Sequence, residues 1–189
     1  YIDGCLKISN TGTFFDEDGI KAIVQGNNSP KKGKYIGNKG TGFRSILNWA
    51  SSVRIFSGEF AVEFSKSYAK EIFDTIKDTP QIAKQLQREK TLYIPMLAVP
   101  RNIPHDRPID RTTIEVDVDP KKSQDEYSVR KQLETIDLRI LLFLPNVSVI
   151  SITTDDRHVV YQRSKTDSLI EYDFSWSDIT LSKVVDNEV

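Results

Sequence analysis

A cluster of glycines at residues 37–43, GNKGTGF, constrains this chain more than any other feature. The chain has only 9 glycines in 189 residues, yet Gly37, Gly40 and Gly42 fall within six positions. Glycine lets the backbone approach a ligand where a Cβ would intrude. Apolar residues then recur at Phe43 and at the third, fourth and seventh positions after it, which predicts an amphipathic helix of about two turns. The glycines therefore precede a predicted helix N-terminus, where free N–H groups bind anions.

The segment around these glycines is basic, although the chain as a whole is not. The net charge of −1 argues against a globally basic nucleic-acid binder. No acidic residue lies between Asp18 and Glu59. The basic residues of this interval are Lys21, Lys31, Lys32, Lys34, Lys39, Arg44 and Arg54. The pattern fits a solvated basic loop or an anion site, and the glycines in the same segment favour the anion site.

Composition places the chain among ordinary globular proteins. The sequence is 38% hydrophobic and 28% charged, and no apolar run approaches the roughly 20 residues of a membrane helix. The single cysteine, Cys5, cannot form an internal disulfide, and no signal peptide opens the chain. We therefore expect a soluble cytoplasmic protein with no membrane partner. The sequence begins abruptly at Tyr1 without a methionine, so we expect further residues upstream.

Local patterns predict a mixture of strands and helices. Strands are predicted at 5–9, at 53–56 and 60–64 as a hairpin, at 112–118, and at 147–153, 158–162 and 169–174 as an antiparallel meander. Helices are predicted from a cap at Asp16 to Gly26, twice within 66–90 with Pro80 opening the second, and from Val129 to Pro145. The four prolines of 92–108 restrict that segment to an edge strand or an extended loop.

Together these elements predict an α/β (α+β) two-layer sandwich. The sheet is expected to be mixed but mostly antiparallel, with helices on one face. We expect one domain over 1–189, with a helical insertion at 66–90 and the C-terminal β-meander at 146–175.

The order of the glycines, G-x-x-G-x-G, excludes two common phosphate loops. The Walker loop requires G-x-x-x-x-G-K followed by Ser or Thr, and the sequence has no such match. The dinucleotide fingerprint has the reverse order, G-x-G-x-x-G, and directly follows a strand. A glycine-rich turn used only for packing remains an alternative to a phosphate site.

Residues 6–47 resemble the GHKL ATPases, which include gyrase, the ninety-kilodalton heat-shock chaperone and the histidine kinases, and most closely the sacsin-like branch. In that family a strand ends in an adenine-reading D-x-G-x-G motif, a helix and a mobile lid follow, and G-x-x-G-x-G-F enters the next helix. A later strand begins with a Gly-Thr pair facing the adenine. The resemblance implies the Bergerat ATP-binding fold, with ATP and Mg²⁺ as ligands. It also implies that closure of the lid, residues 26–36, drives conformational change in a larger, chaperone-like protein whose other domains are partners.

The resemblance assigns the adenine side of the site to both strands. Asn10 takes the place of the adenine-reading aspartate, and Gly12 that of the first conserved glycine. The Asn10 oxygen can accept a hydrogen bond from an amino group, but the amide is neutral and can also donate. Phe14 stands where the second glycine usually lies, so its ring is expected to fill or reshape the adenine side. Thr112 matches the threonine of the Gly-Thr pair, and Arg111 replaces its glycine.

The resemblance assigns the phosphate side to the basic loop and the residue that follows it. The assigned positions are Ser29 and Lys31 in the lid, then Gly37, Lys39, Gly40, Thr41, Gly42 and Phe43.

The family's catalytic helix has no counterpart in this sequence. That helix carries E-x-x-x-N, in which the glutamate activates water and the asparagine holds magnesium, and no asparagine here has an acid four positions before it. The catalytic residue is therefore unknown, no metal ligand is assigned, and we expect the magnesium ligand upstream of Tyr1. The alternative is a degenerate pseudo-ATPase that acts as a protein-interaction module. Nucleic-acid binding by 31–44 ranks last because that segment lacks interleaved aromatics.

The remaining chemistry-bearing residues have ordinary structural interpretations. His105 and His158 are expected to be surface or cross-strand histidines, and Cys5 a small buried hydrophobe. The tryptophans at 49 and 176 are expected to be packing residues. Three carboxylates share one face of a predicted strand and are expected to be solvated rather than metal ligands; they are Glu115, Asp117 and Asp119.

Overall fold

The computed structural model of the protein describes residues 1–25, 43–88, 92–122, 128–166, 169–171 and 174–186. The chain divides into two compact units, one of Cys5–Lys122 and one of Tyr1–Gly4 with Ser123–Val189. All strand pairs among the described residues are antiparallel. The chain is thus a mixture of helices and antiparallel sheets, as predicted at that level. A single domain over 1–189 stays a prediction.

The unit Cys5–Lys122 contains one five-stranded sheet. Its strands are β1 (Cys5–Asn10), β2 (Ala50–Ser57), β3 (Phe60–Ser65), β4 (Arg101–Asn102) and β5 (Thr112–Val118). Its helices are α1 (Glu17–Gln25), α2 (Lys66–Ile76) and α3 (Pro80–Arg88), with 3-10 helices at Phe43–Asn48 and Met96–Ala98. The strand order is β1-β5-β2-β3-β4. The predicted hairpin, the strand at 112–118 and an edge position within 92–108 are confirmed.

Side-chain caps and proline set the helix starts that the sequence predicts. The Asp16 carboxylate accepts a hydrogen bond from Gly19 N at 2.7 Å and begins α1. Ser65 Oγ accepts from Tyr68 N at 3.2 Å and begins α2. Pro80 occupies the first position of α3, where its missing N–H costs no helical bond. The predictions for these three helix starts are confirmed.

Alternation along the strands divides the five-stranded sheet into an apolar face and a polar face. The buried centre of the apolar face consists of Val53, Ile55, Val62, Phe64 and Val116. The polar face carries Lys7, Arg54, Glu63, Glu115 and Asp117. Because directly paired residues share a face, this division follows from the register of the strands. The core of this unit therefore lies on the apolar face.

The segment after the glycine cluster differs from its prediction. It forms a six-residue 3-10 helix, Phe43–Asn48, rather than two turns of α-helix. Ala50 belongs to β2, where it pairs with Val118, and Trp49 O accepts a hydrogen bond from Asp119 N at 2.8 Å. Ala50, which the helical pattern assigned to a second turn, is therefore held in β2 by strand pairing.

The unit of Tyr1–Gly4 with Ser123–Val189 contains two further sheets. Its elements are α4 (Val129–Glu134), a 3-10 helix at Leu138–Leu142, β6 (Val149–Thr154), β7 (Arg157–Lys165), β8 (Leu169–Glu171), β9 (Phe174–Trp176) and β10 (Ile179–Asp186). One sheet has the order β10-β7-β6, and β8 pairs with β9 alone. The core of the larger sheet centres on Leu141, Val159 and Tyr161.

Two predictions for this unit are wrong in part. The meander predicted over 146–175 takes its third strand from β10, while β8 and β9 pair with each other in a separate sheet. The helix predicted from Val129 to Pro145 is broken, because the Asp137 carboxylate accepts from Arg139 N at 2.8 Å and begins a separate 3-10 turn. None of the helices that the structure describes has the length and apolarity needed to span a bilayer.

We expect Phe64→Ala to lower the free energy of unfolding by about 3–5 kcal/mol, because Phe64 is completely buried and truncation leaves a cavity. Tyr93→Ala is the matched control, since Tyr93 is 75% exposed and should change that free energy by at most about 0.5 kcal/mol. Urea titrations followed by circular dichroism measure both. Equal losses in the two variants would contradict the core described here.

Candidate functional site

The two positions that the resemblance assigns to the adenine lie directly opposite each other. Asn10 is the last residue of β1, Thr112 is the first residue of β5, and the register pairs them. Both occur at the same end of the sheet, where the chain leaves one strand and enters the other. The Asn10 side chain is exposed, whereas Thr112 is 2% exposed. An accessible amide therefore lies beside a buried hydroxyl.

Ser57, on a third strand of the sheet, lies in the same row as these two positions. It ends β2 and pairs with Thr112 in the register, so the three residues form a row across β1, β5 and β2. The Ser57 and Thr112 hydroxyl oxygens lie 2.7 Å apart, and Phe15 N donates to Ser57 Oγ at 2.8 Å. The chain that follows Asn10 thus crosses the start of β5 and is fastened to the end of β2.

Sequence reasoning missed Ser57. The signal that could have found it is alternation, because Ser57 has the parity of the buried residues Val53 and Ile55. A serine at such a position, 2% exposed, needs hydrogen-bond partners. The sequence does not show that those partners come from residues 15 and 112.

Gly12 lies against the Asn10 amide. A Cβ built on Gly12 would stand 2.9 Å from Asn10 Nδ2, closer than real Cβ contacts allow. Any side chain at position 12 would therefore displace the amide. The geometry links the first and third positions of the N-x-G motif through space as well as through sequence.

Phe14 lies at the β2–β3 turn. A Cβ on Gly58 would meet the Phe14 ring at 3.5 Å, and Gly58 has a φ of +58° that favours glycine. This turn follows β2, two strands away from β1 and Asn10 in the sheet order. Gly58 directly follows Ser57, which lies in the row with Thr112 and Asn10, and the expectation that the Phe14 ring fills or reshapes the adenine side stays a prediction.

Most of the predicted phosphate side lies outside the described residues. This applies to the lid at 26–36 and to Ser29, Lys31, Gly37, Lys39, Gly40, Thr41 and Gly42. Phe43 is described, and it is the partly buried first residue of the 3-10 helix.

The described part of the basic segment is engaged in structural contacts. Lys21 pairs with Glu17 at 2.9 Å, and Arg44 Nη2 donates to Ile23 O at 3.1 Å near the end of α1. Arg54 belongs to the polar face and pairs with Asp117 at 2.8 Å. These contacts reduce the cationic field that the sequence assigns to 19–58.

Arg111, which replaces the glycine of the family's Gly-Thr pair, holds its own neighbour. Its guanidinium donates two hydrogen bonds to the Asp110 carboxylate, at 2.9 and 2.8 Å. These bonds lower the pKa of Asp110 and raise that of Arg111. The positive charge that Arg111 places before Thr112 is therefore paired with the Asp110 carboxylate.

Glu115 corrects the prediction of a solvated carboxylate face. It is 4% exposed, and Arg107 contacts its carboxylate through two nitrogens at 2.9 and 2.8 Å. The register places Lys7 on β1 and Arg54 on β2 opposite it, at 3.9 and 3.6 Å. The sequence prediction was wrong because it treated the strand alone, whereas the cations come from both neighbouring strands and from the chain before β5.

The other two carboxylates of that predicted face, one on β5 and one just after it, are partly exposed and paired. Asp117 accepts hydrogen bonds from Ser52 Oγ at 2.5 Å and from Arg54 Nη2 at 2.8 Å. Asp119 lies 3.7 Å from Lys66. Among the described residues, no group of three or more His, Cys, Asp or Glu has an arrangement that could hold a metal ion.

Both histidines have structural contacts. The His105 ring nitrogen contacts Gly58 O, and the ring meets Phe56 edge-on at 6.2 Å. His158 lies between strands, with Nε2 2.9 Å from Ser151 Oγ and Nδ1 3.6 Å from the Asp186 carboxylate. Water competes for both contacts of His158, since the Asp186 side chain is 60% exposed and Ser151 is exposed. The cross-strand interpretation of His158 is confirmed.

Two concave surfaces that the described residues form lie away from this row of hydroxyl and amide groups. One lies on α2, around Lys70, Glu71 and Asp74, and another between α4 and the β6–β7 hairpin. Neither includes Asn10 or Thr112.

Comparison with protein-family models, with curated proteins and with solved structures finds no match to this chain.

We expect Glu115→Gln to lower the free energy of unfolding by about 2 kcal/mol, because it removes the charge that compensates two arginines. The Arg54 and Arg107 side chains are 31% and 30% exposed, so the loss is smaller than for a fully buried pair. Glu17→Gln is the matched control, since the Glu17 side chain is 81% exposed. Its free energy of unfolding should be indistinguishable from that of the wild type. Urea titration compares them, and similar stabilities of the two variants would contradict the buried network.

We expect the Cys5 thiol to be a slow nucleophile. Burial raises its pKa, the Asp117 and Glu115 carboxylates raise it further, and the thiol hydrogen-bonds to Asp117. A raised pKa leaves less thiolate at pH 8, so alkylation by iodoacetamide should be slower than for free cysteine. Asp117→Asn should lower that pKa and speed the reaction.

Mass spectrometry can follow this alkylation without ambiguity because the chain has one cysteine. Asp119→Asn, the same substitution on the residue after β5, serves as the control and should leave the rate unchanged. Equal acceleration by both variants would show that general loss of structure, rather than the Asp117 charge, controls the thiol.

Proposed function

We propose that this chain is an adenine-nucleotide-binding domain of GHKL type with the Bergerat fold. The observation that carries the proposal is the pairing of Asn10 with Thr112 at one end of an antiparallel sheet. The resemblance to the family requires these two positions to face one ligand, although they lie in distant parts of the sequence. Local sequence patterns do not specify which strands pair, so the register supports the resemblance independently of the motif itself.

The chemistry around Asn10 suits a purine. Its exposed amide offers one acceptor and two donor hydrogens to a base edge. Ile8, two residues earlier on the same face of β1, is 50% exposed and offers an apolar surface beside the amide. Small-molecule sites combine apolar walls with a few placed polar groups of this kind.

In the proposal, the basic loop supplies the phosphate side. Gly37, Gly40 and Gly42 would let the backbone approach the phosphates, and the loop lysines would balance their charge. Closure of the lid at 26–36 over ATP would drive conformational change in a larger, cytoplasmic protein. Magnesium would accompany the phosphates, and we assign no hydrolytic step to this chain.

The second candidate is a pseudo-ATPase that serves as an interaction module. Three observations favour it: the neutral Asn10 in place of an aspartate, Arg111 in place of a glycine, and the absence of an acid four positions before any asparagine. A degenerate domain would keep the sheet and lose nucleotide affinity. The two candidates therefore differ in binding, which calorimetry measures directly.

We expect isothermal titration with ATP and Mg²⁺ to release or absorb measurable heat, and ATP to protect residues 26–36 from proteolysis. The double variant Gly40→Val, Gly42→Val should abolish binding, because side chains would occupy the space of the phosphates. Gly33→Val is the matched control, since Gly33 lies in the same basic segment but outside G-x-x-G-x-G.

The outcomes separate the candidates. Binding that Gly33→Val keeps and the double variant loses supports the nucleotide site. An absence of heat together with unchanged proteolysis of the lid would reject ATP binding and favour the pseudo-ATPase.

A further inference from the structure

We propose that the outer edge of β10 pairs antiparallel with β10 of a second copy of this chain, so that two β10-β7-β6 sheets join into one continuous sheet. The strand runs from Ile179 to Asp186 and lies at one edge of its sheet. Among the described residues, no other strand pairs with its outer side. The inference goes beyond the proposed function and does not depend on nucleotide binding.

The hydrogen-bond ladder defines which backbone groups of β10 point outward. Thr166 N donates to Asp178 O at 3.0 Å and continues the ladder between β7 and β10. In an antiparallel ladder, residues that bond to the neighbouring strand alternate with residues that do not. The even-numbered residues of β10 therefore bond to β7. The residues whose backbone N–H and C=O groups point outward are the odd-numbered ones, Ile179, Leu181, Lys183 and Val185.

The strand β10 lacks the features that usually protect an edge strand from pairing. It has 8 residues, contains no proline and keeps a continuous register with β7. The Lys183 ammonium lies 5.7 Å from the centre of the Tyr161 ring, and the Asp186 carboxylate lies 3.6 Å from His158 Nδ1. Both charged side chains of β10 therefore contact β7 instead of guarding the outer edge.

The sequence of β10 is complementary to itself in one antiparallel register. With Ser182 on the twofold axis, Ile179 lies opposite Val185 of the second copy, and Thr180 lies opposite Val184. In the single chain, Ile179, Val184 and Val185 are 46%, 55% and 42% exposed. Apolar and β-branched pairs across strands stabilise a sheet. The pairing thus brings together the large apolar side chains that β10 exposes.

The same register satisfies the outward backbone groups. Leu181 forms a hydrogen-bonded pair with Lys183 of the second copy, as Ile179 does with Val185, and each such pair exchanges two N–H···O=C bonds. A register centred on Lys183 would place two ammonium groups opposite each other, which is destabilising, and would leave Ile179 without a partner in β10. The side chains and the ladder therefore favour one register and a second copy as the occupant of this edge.

Sedimentation velocity of the 1–189 chain, from about 10 μM to about 1 mM, tests this association. We expect the average mass to rise towards twice that of the monomer, with weak affinity because one strand per copy buries a small area. In the proposed register, Asp186 faces Asp178 of the second copy. Both residues are exposed, so added salt should screen their repulsion and strengthen the dimer.

Lys183→Pro should weaken the dimer at least about tenfold, because it removes outward N–H groups that β7 does not use and places a ring where the second copy must lie. Val149→Pro is the matched control on β6, the opposite edge. Ser148 O accepts a hydrogen bond from Arg163 N of β7 at 2.8 Å, so the backbone groups of Val149 also point outward. This variant should associate like the wild type, and circular dichroism checks that both variants are folded.

Ser182→Cys gives a second measurement that needs no proline in the strand. On the twofold axis, the two introduced thiols would belong to a non-hydrogen-bonded pair with Cα atoms about 4.5 Å apart, a separation that a disulfide can bridge. Mild oxidation should therefore cross-link this variant. Ser164→Cys is its control, because Ser164 is exposed on the same face but lies on the central strand β7. Mass spectrometry of the linked peptides distinguishes these disulfides from any that involve Cys5.

A wild-type chain that stays monomeric over the whole concentration range would overturn the inference and leave this edge to a strand of another protein. Equal association of Lys183→Pro and the wild type would also overturn it. If Lys183→Pro does not fold, equal cross-linking of the two cysteine variants would do so. Nucleotide binding is measured separately, so a dimer that binds no ATP would reject only the proposed function.

Discussion

The antiparallel register of β1, β5 and β2 is the constraint on which the rest of the candidate site depends. It places Asn10, Thr112 and Ser57 in one row, although each belongs to a different strand. A shift of one residue in β5 would turn Thr112 to the other face and separate all three. The buried residues Val53, Ile55 and Val116 oppose such a shift, because it would expose the core. The free energy of core packing therefore also holds the polar groups of the site in place.

The same register explains the charges on the opposite face. Glu115 faces Lys7 and Arg54 because these residues have the parity opposite to the core positions. Its third cation, Arg107, comes from the chain that leads into β5, and its guanidinium also lies over the Phe56 ring at 5.3 Å. These contacts fasten residues 105–107 across the polar face just before Thr112 begins its strand. The network on one face thus helps to fix the start of the strand that supplies the site on the other.

The sequence predicted features that depend on near neighbours and missed those that depend on distant ones. The strands at 5–9 and 112–118, the cap at Asp16 and the helix start at Pro80 follow from periodicities or capping patterns within a few residues. The pairing of β10 with β7, the burial of Glu115 and the role of Ser57 each need a partner from elsewhere in the chain. The segment 43–48 was predicted as part of an α-helix because a helical pattern does not show that Ala50 belongs to β2. The motif resemblance reached further than periodicity, since it linked positions 10 and 112.

These corrections change how the glycine cluster would act in the proposed phosphate site. A six-residue 3-10 helix has too few aligned peptides to supply the dipole that a full α-helix would offer. Of the basic residues between 18 and 59, Lys21, Arg44 and Arg54 have protein partners. The attraction for phosphate would then come from the loop lysines at 31, 32, 34 and 39 and from glycine backbone N–H groups. Charge that is open to solvent is screened by salt far more than a buried pair is. Phosphate affinity in the proposed site should therefore depend on ionic strength more than base contacts at Asn10 and Thr112 would.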